Sequence, residues 1–258
     1  MAVAIVIPAR WASSRLPGKP LLRETGKYLI EHVYERASQA RCASEILVAT
    51  DDPRILSAVR EFGGQARMTR TDHASGTDRV AEVAAQLAAD VIINVQGDEP
   101  QIDPHAIDQL AALMHDPVAD MATLAVPITN LETYLNPNVV KVVCDSRGRA
   151  LYFSRSPIPK VRDGSPDFTA QPPCFLQHLG IYAYRRTYLL HIAATAPHPL
   201  EQLEKLEQLR VLGNGGTILV GQVAHAHRGV DTPADYAAFV QWYRQQGGNA
   251  TGSSRRVA

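Results

Sequence analysis

The chain has 258 residues, 45% of them hydrophobic, and its 26 Lys and Arg balance 26 Asp and Glu to a net charge of zero. That length and apolar content support one large α/β domain or two small ones, and the charge balance argues against a nucleic-acid-binding protein, which carries a basic excess. No apolar run approaches the roughly 20 residues that cross a bilayer, the opening MAVAIVIPAR lacks the basic start and small-residue cleavage site of a secretory signal, and the isolated Cys42, Cys144 and Cys174 form neither a metal spacing nor a disulfide framework, so a reduced, cytoplasmic protein without a membrane or nucleic-acid partner is expected.

Taken in chain order, residues 3–7 are apolar throughout and predict a buried strand. Residues 28–40 are amphipathic and predict a helix, 45–50 (EILVAT) a second strand, and 53–62 a short helix closed by Gly63 and Gly64. In 76–89, Val80, Val83, Ala84 and Leu87 fall at i, i+3, i+4 and i+7, which makes a helix face. Residues 91–95 form another apolar strand, ending in Gln-Gly-Asp-Glu-Pro. Buried strands separated by helices imply a mostly parallel sheet covered on both faces, in which ligands sit beyond the carboxyl ends of the strands. Further strands are expected over 121–128, 139–143, 150–154, 179–184 and 217–223. A helix is expected over 200–212 between Pro199 and Gly213, and a last one over 233–246. Residues 156–174, rich in proline, read as a long loop, and GGNATGSSRRVA (247–258) reads as a disordered tail. The expectation is one domain over 1–246, with a regular strand–helix alternation over about 1–120 and a looser pattern over about 121–230.

Five stretches carry residue types suited to chemistry. The loop after the first strand, ARWASSRLPGKPLL, places Arg10, Arg15 and Lys19 among turn formers, with Arg10 and Lys19 spaced to hold one polyanion from two sides. By type and spacing alone, solvent-facing cations explain it equally well. Neither G-x-G-x-x-G nor the Walker loop is present, which removes those two phosphate cradles. QGDEP puts Asp98 and Glu99 just past an apolar strand, where carboxylates suit Mg²⁺, although acidic residues there also cap helices. GVDTP offers Asp231 in the same two roles. HASGTDR supplies Ser75, Gly76 and Thr77 at a helix start, able to hold a base or sugar or simply to cap. Glu207 falls inside the apolar stripe of residues 200–212, where a carboxylate is paired or functional, and Arg210 three residues on is a candidate partner. His225 and His227 lack a third ligand and read as surface residues.

Eight motifs occur in order: IPARWASSRLPGKPL, MTRTDHASGTDRVAE, NVQGDEP, NPNVVKVV, ALYFSRSPIP, HLGIYAYR, LEKLEQLRVL and GVDTP. Together they resemble the 3-deoxy-manno-octulosonate (Kdo) cytidylyltransferases, enzymes that activate Kdo for lipopolysaccharide synthesis, over nearly the whole chain. The resemblance implies a Rossmann-like nucleotidyltransferase fold, CTP and Kdo as substrates, Mg²⁺ as cofactor and a homodimer. It implies that Arg10 and Lys19 hold the triphosphate, that Ser13, Gln96 and the Ser75–Arg79 segment, with Ser75, Gly76 and Arg79, contact the nucleoside, and that Asp98 and Asp231 bind Mg²⁺. Arg10, Lys19 and Asp98 are thereby the expected catalytic residues. Gln96, Arg155, His178, Tyr182, Glu207 and Gln208 are implied for the sugar-acid pocket. Residues 159–177 match no motif and receive no role.

Overall fold

The structure is a computed structural model that describes residues 1–250 except 13–15, 74, 172, 227 and 228, with backbone alone at 247–250. Ser13 and His227 therefore lie outside the described residues.

A nine-stranded sheet organises the chain, with main order β3-β2-β1-β4-β8-β5-β9. Strands β1 (Val3–Ala9), β2 (Glu45–Thr50), β3 (Ala66–Met68) and β4 (Val91–Asn94) run parallel. Strand β8 (Leu176–Arg185) is antiparallel to both β4 and β5 (Met121–Pro127), and β9 (Ile218–Gln222) is parallel to β5. Strands β6 (Lys141–Cys144) and β7 (Ala150–Ser154) form a hairpin on β8. The expected mostly parallel sheet is therefore present, with β8 the one reversed strand of the main order.

Alternation along β1 shows why the strand is apolar throughout. Val3, Ile5 and Ile7 enter one core with Ile30, Val33, Val59, Ile107 and Leu110, from helices α1 (Leu29–Ala37), α2 (Pro53–Glu61) and α4 (Pro104–Leu113). Ala4 and Val6 enter the other core, with Val80, Val83 and Ala84 of α3 (Gly76–Ala84). With helices on both faces, neither set of β1 side chains meets water. The second core continues into the later elements through Leu189 and Ile192 of α6 (Arg186–Ala193) and Leu209. The described residues of 156–174 form the expected loop, in which Val161 and Phe168 pack on a small cluster of Ile128, Tyr134 and Phe175, Tyr134 lying in α5 (Leu131–Leu135).

The region 200–212 departs from the single helix expected. It forms α7 (Pro199–Glu204) and α8 (Gln208–Gly213), separated by Lys205 in the left-handed region at φ 54°. The break is held from outside: the Glu204 carboxylate accepts from Ser154 Oγ (2.6 Å) and the Arg155 N–H (3.0 Å), and its carbonyl accepts from Arg155 Nε (2.8 Å). Leu203 consequently turns outward, 79% exposed, and the apolar stripe drawn through it does not exist. The last helix, α9 (Pro233–Ala250), runs four residues past its expected end, so 247–250 continue it, and 251–258 lie outside the described residues. It docks on α1 through Tyr236, Phe239 and Val240 around Leu29. Among the described residues, no helix is long and apolar enough to cross a membrane.

Candidate active site

Two loops leave neighbouring parallel strands side by side. After β1 comes Arg10, and after β4 comes Gln96-Gly97-Asp98-Glu99. Gly97 is required by closeness: a Cβ there would stand 2.6 Å from the Pro8 carbonyl oxygen. The far end of the first loop is pinned by Gly18, left-handed at φ 67°, beneath the Trp11 ring, where a Cβ would meet Cη2 at 2.9 Å. Trp11 is covered in turn by the Arg54 guanidinium, 3.4 Å from the ring centre, and Asp52 grips that guanidinium at 2.9 and 2.6 Å. The short turn Lys19–Leu21 follows Gly18 and presents Lys19 to the site.

Lys19 Nζ lies 2.6 Å from Asp98 Oδ2 and 3.4 Å from Asp231 Oδ1. Two aspartates 133 positions apart in the chain therefore face one cation. A backbone bond from the Val230 N–H to the Asp98 carbonyl (2.8 Å) ties the two segments together. Neither aspartate makes the cap its position suggested. Helix α4 is capped by Asp103, and the start of α9 is closed by Thr232 and Asp235, whose side chains accept from each other's N–H at 3.2 and 2.9 Å. Among the described residues no group of three or more His, Cys, Asp or Glu forms a self-sufficient metal cage. Two convergent carboxylates are instead a donor set that fits Mg²⁺, which takes its remaining oxygens from phosphates and water.

A cavity of about 340 Å³ opens above this point. Arg10, Lys19, His73, Ser75, Gly76, Arg79, Gln96, Gly97, Asp98, Glu207 and Asp231 line it. A second, of about 430 Å³, is lined by Asp98, Glu99, Asn138, Gln177, His178, Gly229 and Asp231. Asp98 and Asp231 belong to both walls, so the carboxylate pair stands where two ligands would meet. Glu99, beside them, is half-buried, and crowding by protein around its carboxyl, with the Asp98 charge second, pushes it up to about 8.

The other expected residues divide. Ser75 caps α3, accepting from the Asp78 N–H at 3.1 Å while Asp78 accepts from the Ser75 N–H at 3.2 Å. Arg79 lines the cavity, but its guanidinium is held by Asp51 (2.6 Å), Thr69 and the Arg70 carbonyl (3.3 Å). These bonds make it an internal brace on the wall of the cavity where a nucleotide contact is expected of it. Arg79→Met should lower stability by about 3 kcal/mol, because it leaves the Asp51 charge half-enclosed without a partner. CTP affinity measured well below the melting point should change less than threefold; a large affinity loss at unchanged stability would restore Arg79 to the ligands.

Arg155 lines neither cavity. Its guanidinium donates to the carbonyls of Glu204 (2.8 Å) and Pro137 (3.2 Å) and so braces the turn that leads to Glu207. Glu207 itself opens onto the first cavity. Crowding by protein raises its carboxyl above the usual range, Asp78 and Glu201 add to the rise, and a hydrogen bond from Thr77 and the charge of Arg210 oppose it. The Glu207–Arg210 pair that the spacing allowed does not form, because Arg210 is bound to Glu201 at 2.6 and 2.8 Å. His178 meets Thr123 Oγ1 at 3.0 Å, and burial pushes its ring down to about 3, so it stays neutral. Tyr182 donates to Gln208 Oε1 at 3.4 Å, and the buried Gln208 Nε2 has no protein partner among the described residues. His225 is exposed, in keeping with a surface role. Sequence reasoning missed His73, Asn138 and Gln177 as lining residues; His73 and Asn138 stood inside quoted motifs that could have signalled them, and Gln177 did not.

A family model described as cytidylyltransferase matches residues 4–218. The 3-deoxy-manno-octulosonate cytidylyltransferase of Syntrophotalea carbinolica is 53% identical over 91% of this chain and 96% of its own. The chain belongs to the 3-deoxy-manno-octulosonate cytidylyltransferase family. The member from Geobacter metallireducens is 51% identical over 93% of this chain and 97% of its own. A solved structure of CMP:2-keto-3-deoxy-manno-octonic acid synthetase complexed with CTP is 48% identical, covers 95% of this chain and all of that one, and superposes with a TM-score of 0.89. A 4-diphosphocytidyl-2C-methyl-D-erythritol synthase from Anaerococcus prevotii, 12% identical with a TM-score of 0.63, shares the nucleotidyltransferase fold alone.

Proposed function

We propose that this chain transfers CMP from CTP to Kdo, giving CMP-Kdo and pyrophosphate and so activating Kdo for lipopolysaccharide synthesis in the cytoplasm. The observation that carries this reading is the junction at Asp98 and Asp231 between two cavities: family membership supports CTP in the first, where Arg10 and Lys19 suit a triphosphate, and Kdo in the second.

The anomeric hydroxyl of Kdo attacks the α-phosphorus in line, and pyrophosphate leaves. Transfers of this kind depend on positioning and charge stabilisation more than on covalent catalysis. Arg10 and Lys19 hold the phosphate chain and offset charge on the leaving group. Asp98 and Asp231 would hold Mg²⁺, which when bound neutralises phosphate oxygens. Ser75 and Gly76, with Ser13, hold the nucleoside, and Gln96 stands between nucleoside and acceptor. His178, Tyr182, Glu207 and Gln208 orient Kdo, His178 from the second cavity and Glu207 from the first. The domain reading of a nucleotide part over about 1–120 and a sugar-acid and dimer part over about 121–230 accompanies this assignment. Exposed Leu131, Leu135, Leu151 and Leu203 in the latter part support a homodimer.

Pyrophosphate release from CTP and Mg²⁺ tests the reaction. It should depend on Kdo, and UTP should replace CTP poorly, with kcat/KM lower by roughly a hundredfold or more, because a site bonded to one base edge is left with unpaired groups by the other. Release indifferent to Kdo, or equal rates with the two nucleotides, would contradict it.

A further inference from the structure

Lys141 belongs to NPNVVKVV, a motif to which the reaction above gives no part, and it is fully buried at the first position of β6. Its ammonium donates to three backbone carbonyls, those of Asn136 (2.9 Å), Val139 (2.7 Å) and Arg155 (2.6 Å). An ammonium has three protons and no acceptor, so its hydrogen-bonding capacity is used in full. Lysine is almost never enclosed this completely unless its charge is held by partners of this kind. What the three carbonyls have in common is therefore the question the residue raises.

Two of them bracket Asn138. Asn136 and Val139 stand on either side of it, and the turn is closed by the Val139 N–H on the Asn136 carbonyl (3.1 Å) and the Asn138 N–H on Asn136 Oδ1 (2.9 Å). The third carbonyl belongs to Arg155, whose guanidinium reaches back to the Pro137 carbonyl at 3.2 Å, so the same turn is gripped from a second side. Asn138 lines the second cavity with Gln177 and His178. Both neighbours are tied to the chain around Lys141. Gln177 is its register partner across the sheet, and the His178 N–H donates to the Val140 carbonyl at 2.9 Å. No residue of this clamp lines the first cavity. An asparagine amide offers a donor and an acceptor together, which suits the hydroxyl groups of a sugar acid. We propose that Asn138 contacts the sugar acid in the second cavity, and that Lys141 is the positioning residue that sets the turn presenting it. This inference rests on the reaction proposed above and names a part of its acceptor site.

Asn138→Ala and Lys141→Met test the two halves in the full chain. Asn138 is exposed, so Asn138→Ala should keep the wild-type melting temperature while raising KM for Kdo by roughly three- to tenfold, the scale of a lost hydrogen bond or two. Lys141→Met should lower the melting temperature and raise KM for Kdo by roughly ten- to a hundredfold, because a displaced turn disturbs more than one contact. Calorimetric affinity for CTP, measured well below the melting point, should stay within about twofold in both. Adding Asn138→Ala to Lys141→Met should raise KM little further, since the contact is already lost. A merely structural lysine would lower the melting temperature and the active fraction and leave KM for Kdo unchanged. That result, or an Asn138→Ala protein with the wild-type KM for Kdo, would overturn this inference alone, provided the wild type turns over CTP and Kdo. If Lys141→Met does not fold, Asn138→Ala decides: a raised KM for Kdo at unchanged CTP affinity upholds the inference, and an unchanged KM overturns it. A wild-type protein inactive with Kdo would overturn the proposed reaction and this inference with it.

Discussion

Asp98→Asn and Asp231→Asn should each lower Mg²⁺-dependent turnover by roughly a hundred- to a thousandfold, the scale of losing one charge-stabilising group at a reacting phosphate. Asn keeps the shape and the hydrogen-bonding capacity of Asp but not the negative charge that Mg²⁺ requires. The folded state should tolerate both changes. Asp103 caps α4 and Thr232 closes α9, so neither helix depends on the substituted carboxylate. The ion pairs with Lys19 are partly exposed, at 30% for Asp98 and 48% for Asp231, and such pairs contribute at most about 1 kcal/mol. Melting temperatures should therefore move by a few degrees only. The double variant should be far less impaired than the product of the two single effects, because residues acting on one ion are not additive. Full additivity, or an Asp231→Asn variant as active as the wild type at limiting Mg²⁺, would place the two aspartates in separate roles.

Lys19→Met should depress turnover by roughly a hundredfold or more, and its effect on stability should depend on the metal. The methionine stem replaces the aliphatic part of the lysine, which is largely enclosed at 12% exposure. What is lost is the only cation shown between Asp98 and Asp231 among the described residues. In EDTA the two carboxylates then face each other without the Lys19 ammonium between them, and the variant should melt below the wild type. Added Mg²⁺ should restore the melting temperature and leave turnover low, because the ammonium that meets the leaving pyrophosphate is still missing. Turnover within a few-fold of the wild type would remove Lys19 from the triphosphate. A melting temperature indifferent to Mg²⁺ would remove the metal from between the aspartates.

The parts of this fold legible in the sequence were those set by burial on both faces of a strand. The apolar runs of β1, β2 and β4 announce a parallel sheet because a strand covered by helices on both faces has no polar side. The loops at their carboxyl ends then name Arg10, Lys19 and Asp98 as neighbours. Helix α4 was equally legible and has no counterpart among the expected elements: Asp103 and Pro104 form a start signal, and Ala106, Ile107, Leu110 and Ala111 form a buried face. The break at Lys205 was not legible. A lysine in the left-handed region has no local signal, and the turn is held by Ser154 and Arg155, some 50 positions earlier. Periodicity therefore put Glu207 inside a stripe, whereas the break swings it onto the cavity. Arg79 and Arg155 show the complementary limit: a motif marks them, but only their partners reveal that both guanidinium groups are held by the protein itself.

The convergence of Asp98 and Asp231 on one ion is tested most directly by calorimetry of CTP binding in Mg²⁺ and again in EDTA, without Kdo. The wild type should bind CTP more tightly in Mg²⁺. Asp98→Asn and Asp231→Asn should each lose most of that gain, by similar factors, while binding CTP in EDTA at least as well as the wild type, since each removes a negative charge from beside the phosphates. An Asp231→Asn protein that keeps the full Mg²⁺-dependent gain would show that the two carboxylates do not share a metal, and the junction between the two cavities would need another explanation.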